Sequence, residues 1–170
     1  RSQSGTRLVV GGSTQLVDNS VSVQREISAH PQRVWDLVTD LTAMGQWSPE
    51  NQGGAWIGKA TGPAVGARFR GRNARGRRNW PTVVTVSELD EPRRFAFELR
   101  FGPLGGAAWI YEIDPSTEGC VVTETWVDRR TWLLKQIGTL VTGVSDRATH
   151  NKAGMVATLE NLAIACEDTQ

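Results

Sequence analysis

The chain has 170 residues, 39% of them hydrophobic and 22% charged, with 19 Lys and Arg against 18 Asp and Glu. That length is enough for one domain with a substantial core and an enclosed cavity. A formal charge of only +1 argues against a dedicated nucleic-acid or polyanion binder, which carries a clear excess of positive charge, so nucleic acid is not an expected partner.

Residues 1–20 show no sustained periodicity and are rich in Ser, Gly, Thr and Gln; a flexible N-terminal extension is expected there, with one domain over 21–168. Val21, Val23 and Ile27 alternate with polar residues and predict a half-buried strand. Pro31 then suits a first helical position, and Val34, Trp35, Leu37, Val38 and Leu41 supply an apolar helix face that breaks at Gly45 and Pro49, around Trp47.

Six strands are predicted next: AWIGKA (55–60), ARFRGRN (67–73), WPTVVTVSEL (80–89), RFAFELR (94–100), AAWIYEI (107–113) and CVVTETWV (120–127). Gly-, Pro- and Asp-bearing turns separate them, so neighbours should be antiparallel. The apolar segment 132–144, interrupted by Gly138 and Gly143, suggests short mobile helical turns over a cavity entrance. SDRATHNKAGMVATLENLAIACE predicts a long helix opened by Ser145 or Asp146, with Met155, Leu159, Leu162 and Cys166 as its apolar stripe.

Period-2 reasoning assigns the inner face of each strand. Burying Arg68, Arg70 and Arg72 without partners is too costly, so Phe69, Gly71 and Asn73 must point inward. The same logic turns Trp80, Thr82, Val84 and Val86 inward, then Phe95, Phe97 and Leu99. Trp109, Tyr111 and Ile113 follow, with Cys120, Val122, Glu124 and Trp126 last. If the hairpins close as their turns suggest, Asn73 faces Trp80, Phe97 faces Tyr111 and Trp109 faces Glu124. An apolar, aromatic face with a few polar insertions has the texture of a ligand pocket. Glu124 is the sharpest of these, because a core rarely accepts a lone carboxylate. The alternatives are an arginine partner for Glu124 or a strand phase shifted by one residue.

HPQRVWDLVTDLTAMGQWSPE, with Pro31, Val34-Trp35, Asp40 and Trp47-Ser48-Pro49, resembles the strand-to-helix segment of polyketide cyclase/dehydrase-like proteins of the SRPBCC (START and birch-pollen-allergen-like) superfamily. VGARFRGRNARGRRNW and NKAGMVATLENL are similar to actinobacterial members. The resemblance spans about Val21 to Glu167. It implies an α+β helix-grip fold, a curved seven-stranded antiparallel sheet wrapped around a long C-terminal helix, with a hydrophobic cavity between them. It transfers no catalytic triad.

The ligand-binding residues expected on this basis are Trp47, Phe69, Asn73, Trp80, Thr82, Phe97, Trp109, Val122, Trp126, Asn151, Met155 and Leu159. Glu124, Tyr111 and His150 are the candidate acid–base groups. His150 reads more readily as a surface helical histidine, and His30, next to Pro31, as a solvated loop residue. The inward tryptophans suit either a planar ligand or core packing. Six arginines in RFRGRNARGRR read as a solvent-facing row and hairpin tip partly balanced by Glu88 and Glu98, the alternatives being nucleic acid, an anionic lipid headgroup or a coenzyme phosphate. GPLGG and GGS lack the Lys-Ser or Lys-Thr of a phosphate loop. No Gly-x-Ser-x-Gly elbow and no metal-ligand spacing occur, so no metal or cofactor is expected.

Cys120 and Cys166 read as free thiols of a cytoplasmic protein, or as one disulfide. No apolar run approaches the roughly 18 residues of a membrane span. The chain begins at Arg1 rather than Met, which suggests trimming and leaves a preceding targeting segment open. A monomer or weak homodimer is expected. The functional expectation is binding of a lipid, polyketide or similar hydrophobic metabolite. The alternatives are a cofactor-independent polyketide cyclase or dehydratase using the same cavity, and an interaction module acting through its surface.

Overall fold

A computed structural model describes residues 19–167. The extension expected over 1–20 therefore falls outside the described residues apart from Asn19 and Ser20, and Ser20 already opens the first strand. Strand β1 (Ser20–Ile27) leads to helix α1 (Pro31–Thr39), followed by strands β2 (Asn51–Trp56), β3 (Arg68–Arg75), β4 (Arg78–Asp90), β5 (Arg94–Arg100), β6 (Gly106–Ser116) and β7 (Gly119–Asp128). Helices α2 (Trp132–Thr142) and α3 (Arg147–Glu167) complete the chain. One antiparallel seven-stranded sheet runs in the order β1-β7-β6-β5-β4-β3-β2, and α3 packs against β1 and β7. This is the expected helix-grip arrangement.

Pro31 opens α1 as its missing N–H allows, and exposed His30 caps the helix, its Nδ1 accepting the Gln32 N–H at 3.3 Å. Val34, Trp35, Val38 and Leu41 are buried against the sheet. Arg68, Arg70 and Arg72 face solvent while Phe69 and Gly71 are buried, the face of β3 that the cost of burying unpaired arginines dictates.

Three expectations need correction. Strand β2 lies at Asn51–Trp56 rather than 55–60. A bulge between Asn51 and Gly54 starts it early, and Gly54 is indispensable there, because a Cβ would stand 2.1 Å from the Arg70 carbonyl oxygen. The second correction is register. Asn73 does face Trp80, but Phe97 faces Trp109, Phe95 faces Tyr111, Tyr111 faces Glu124 and Trp109 faces Trp126. The β6–β7 hairpin closes through a two-residue turn, with Ser116 opposite Gly119. The resulting slips are of two residues, and since the side-chain period is two, every face is kept. Third, segment 132–144 is not broken into short turns; α2 is one continuous helix of 11 residues. Thr131 caps its start and Gly143, left-handed at φ 72°, its end.

The arginines of the β3–β4 hairpin fasten that end. Arg78 donates to the carbonyls of Leu140 and Val141, and Arg75 to that of Gly143 at 3.4 Å. Glu88 and Glu98, expected to balance the arginine row, pair instead with Arg94, Arg100 and Arg129, which stand nearer on β5 and the β7–α2 link.

Core and cavity occupy opposite ends of the same elements. Ile27, Phe95, Ile113, Cys120, Val122, Leu159 and Leu162 are sealed from solvent with α1. Further along β5, β6, β7 and α3, the same inward face opens onto a void.

Candidate functional site

The void measures about 640 Å³, within the range of small-molecule sites. Its walls are Phe69 from β3, Thr82 and Val84 from β4, Phe97 and Leu99 from β5, and Trp109 from β6. The N-terminal half of α3 adds Asn151, Met155 and Thr158, and α2 covers it with Leu134, Ile137 and Val141. Phe97 and Trp109 stack at 5.7 Å and 15°, a flat aromatic wall made by their cross-strand pairing. Asn73 and Thr82 bond to each other at 3.1 Å, leaving this wall few free polar groups.

Two polar groups reach the cavity at its deep end. Tyr111 on β6 and Glu124 on β7 are cross-strand partners, and the Tyr111 hydroxyl donates to Glu124 Oε1 at 2.9 Å. Both side chains are buried, and Glu124 Oε2 has no partner among the described residues. Burial pushes the Glu124 carboxyl up to about 8, with the Tyr111 hydrogen bond pulling weakly the other way. Burial, then the neighbouring Glu124, hold the Tyr111 phenol well above its ordinary range. Near neutral pH this pair is a carboxylic acid and a phenol. Tyr111 already bonds one carboxyl oxygen, and the other stands without a partner among the described residues.

A second cluster sits at the other end. Glu50 accepts from His150 Nε2 at 2.7 Å and pairs with Arg147 Nη1 at 3.3 Å. The Arg147 guanidinium lies over Trp80, 5.9 Å from the ring centroid. Arg130, paired with Asp128 at 2.8 Å, also borders the cavity, and Gly138 of α2 leaves it room, since a Cβ there would come within 3.3 Å of its Nη1.

Phe69, Asn73, Trp80, Thr82, Phe97, Trp109, Asn151, Met155, Tyr111, Glu124 and His150 thus all border one cavity. Four expected residues do not. Val122 and Leu159 lie past the cavity floor, sealed in the core. Trp126 packs behind Met155 and Ala107, with Arg130 over its outer ring at 5.6 Å. Trp47 is tucked into the core with α1, its carbonyl accepting from Asn161 of α3 at 2.9 Å. Its neighbours Met44, Ser48 and Pro49 line the cavity instead.

Sequence reasoning passed over Glu50, Arg130 and Arg147. One signal was there: Arg147 stands three residues before His150, on the same helix face. Among the described residues no three His, Cys, Asp or Glu side chains gather as metal ligands, and no helix is long and apolar enough to cross a membrane.

Residues 18–166 match the family described as polyketide cyclase / dehydrase and lipid transport. The chain belongs to that family. No curated protein matches it, but solved structures do. A polyketide-cyclase-like protein of Corynebacterium glutamicum is 28% identical, with a TM-score of 0.54 over 86% of this chain and 88% of that one. The major latex-like protein 151 of Panax ginseng is 12% identical, at a TM-score of 0.65 over 86% of this chain and 96% of its own. The di-domain ARO/CYC protein StfQ of the steffimycin biosynthetic pathway matches over 88% of this chain and 50% of that chain, at 11% identity and a TM-score of 0.67. The last two likenesses are of fold. Within this polyketide cyclase / dehydrase and lipid transport family, the chain's own cavity residues carry the functional argument.

Helix α2 is the part of the wall most exposed to solvent. Trp132 is 74% and Leu140 77% exposed, with Leu133, Ile137 and Val141 also outside the core, and α2's main sheet contact is with β4. Hydrogen exchange is expected to show α2 opening well before β5–β7. Equal protection of helix and central strands would rule out a lid.

Proposed function

We propose that the cavity binds a hydrophobic small molecule, a lipid, polyketide or similar metabolite, between the sheet and α3. The observation that carries this reading is an apolar cavity of about 640 Å³ ending on a buried carboxyl with one unpartnered oxygen. Apolar walls supply affinity, at about 25 cal/mol per Å² of surface removed from water. The Glu124–Tyr111 pair orients a ligand carbonyl or hydroxyl at the floor. Native mass spectrometry of the protein purified from its own host tests the reading by weighing what co-purifies; repeated isolation of an empty protein counts against it.

A second reading is favoured by the Glu124 carboxyl standing near 8. A general acid is most effective when its pKa lies near the working pH, so the same pair suits a cofactor-independent cyclase or dehydratase. Glu124 would then protonate a ligand carbonyl oxygen as an enol carbon of the same ligand attacks the carbonyl carbon, the proton released from the enol hydroxyl restoring the carboxyl, and Tyr111 would hold the carboxyl in place. Glu124→Gln separates the two. A carrier should keep its affinity within about tenfold, or 1.4 kcal/mol, whereas an enzyme should lose on the order of a hundredfold in turnover while still binding. If Glu124→Ala alters neither, the residue is structural and both assignments of its role fall.

A further inference from the structure

The cavity has a cationic end that the binding reading leaves unused. Arg147, the first residue of α3, borders the cavity with only 18% of its side chain exposed, and Arg130 with only 14%. Buried guanidinium groups are costly unless paired, and each has one carboxylate, Glu50 or Asp128. The pairing does not neutralise the region. Arg75, Arg78, Arg130, Arg147 and Lys135 gather around this end, against Glu50, Asp128 and Asp146. Asp146 is exposed and turned to the start of α3, where it accepts the Thr149 N–H at 3.1 Å. Burial, together with repulsion from Arg130 and Arg75, holds Arg147 below the ordinary arginine range even beside Glu50. Among the described residues only Nη1 of Arg147 engages Glu50. A guanidinium has five N–H donors in a planar fork, so the Nε and Nη2 edge is left for a second oxyanion. The opposite, deep end holds a neutral acid and phenol near pH 7, which do not repel an anionic molecule.

We propose, resting on the binding reading above, that the ligand is an amphipathic acid. Its anionic head, a carboxylate or phosphate, bonds Arg147 with Arg130 close by. Its apolar body lies along Phe97, Leu99 and Trp109 toward Glu124 and Tyr111. The polarity of the cavity fixes the orientation: reversing the molecule would set its charge in the desolvated floor and its tail among guanidinium groups.

Dodecanoate, dodecyl phosphate and dodecanol share one chain and differ only in the head. Binding of each, followed by intrinsic tryptophan fluorescence, to which the cavity-lining Trp80 and Trp109 contribute, should favour both anions over the alcohol by at least about tenfold. Added salt should erode the preference without weakening dodecanol. The double variant Arg147→Met with Glu50→Gln removes the guanidinium without leaving its carboxylate partner unpaired. It should still bind dodecanol and lose the preference for anions. Whichever anion binds more tightly to the parent names the head group. Dodecanol binding as tightly as both anions, or a preference surviving in the double variant, overturns the assignment of the head while cavity binding stands. Failure of all three to bind overturns both.

Discussion

Replacing Phe95 with alanine is expected to destabilise the protein by about 3–5 kcal/mol. Phe95 is fully buried near the start of β5, the middle strand of the sheet. Its ring meets Trp35 of α1 edge-on at 6.3 Å and Phe97 at 5.6 Å, and its backbone faces Tyr111 on β6. Truncation removes the contacts that bind α1 to the sheet and leaves a hole that rigid neighbours on three elements cannot fill. In a domain of this size the loss corresponds to a fall of roughly 10 °C in melting temperature. Leu99→Ala, four residues along on the same face, should cost only about 1 kcal/mol, because that side chain already borders a void. Urea unfolding of both variants checks the pair. Equal losses would mean that the cavity is collapsed in solution.

The second large effect is the pH dependence of stability through Glu124. Its carboxyl stands at about 8 in the folded protein against an ordinary 4.5, so between these values the folded state holds a proton that the unfolded chain has released. Stability therefore falls as pH rises across that window. The favourable contribution is fully present below about pH 4.5 and is lost as pH passes about 8. The shift corresponds to on the order of 4–5 kcal/mol. Glu124→Gln keeps an acceptor for the Tyr111 hydroxyl and cannot ionise, so its stability should be flat over the same window and exceed that of the parent at pH 8. Asp128, held below its ordinary range by Arg130 despite its burial, acts in the opposite sense and only in acid, so it does not mask the effect. Parallel urea profiles for parent and variant would place the proton elsewhere.

Much of the fold was legible because one argument decided it. Three arginines on one face of β3 fixed the inward side of that strand, and period-2 alternation carried the assignment through β4 to β7. That same logic brought Glu124 and Tyr111 into the cavity. The error in register did no harm to the faces, since turn closure shifted pairs by two residues and not one. What alternation cannot express is depth along a strand. Val122 and Glu124 share a face of β7, yet one is sealed in the core and the other borders the void. Met155 and Leu159 stand in the same relation on α3. Trp126 and Trp47 were misplaced for a related reason: an inward ring is taken up by whichever neighbour reaches it first, here Met155 or the α1 core. Glu50, Arg147 and Arg130 come from three separate loops or helix ends, and their meeting is a property of the closed fold that no local pattern displays. The sequence pattern suggests a broken α2 because it does not distinguish Gly138 from Gly143. Gly143 ends the helix in a left-handed cap, whereas Gly138 stays helical and makes room for Arg130.

The division of each strand into a sealed end and a lining end has an evolutionary consequence. Val86, Phe95, Ile113 and Leu159 answer to folding, while Thr82, Leu99, Trp109 and Met155 answer to whatever occupies the void, and the two groups lie on the same backbone segments without competing for the same positions. A lineage built this way can drift to a new ligand by exchanging side chains at one end of β4, β5, β6 and α3, with the stabilising end untouched and few compensating changes required. Diversity of cargo then needs no diversity of scaffold.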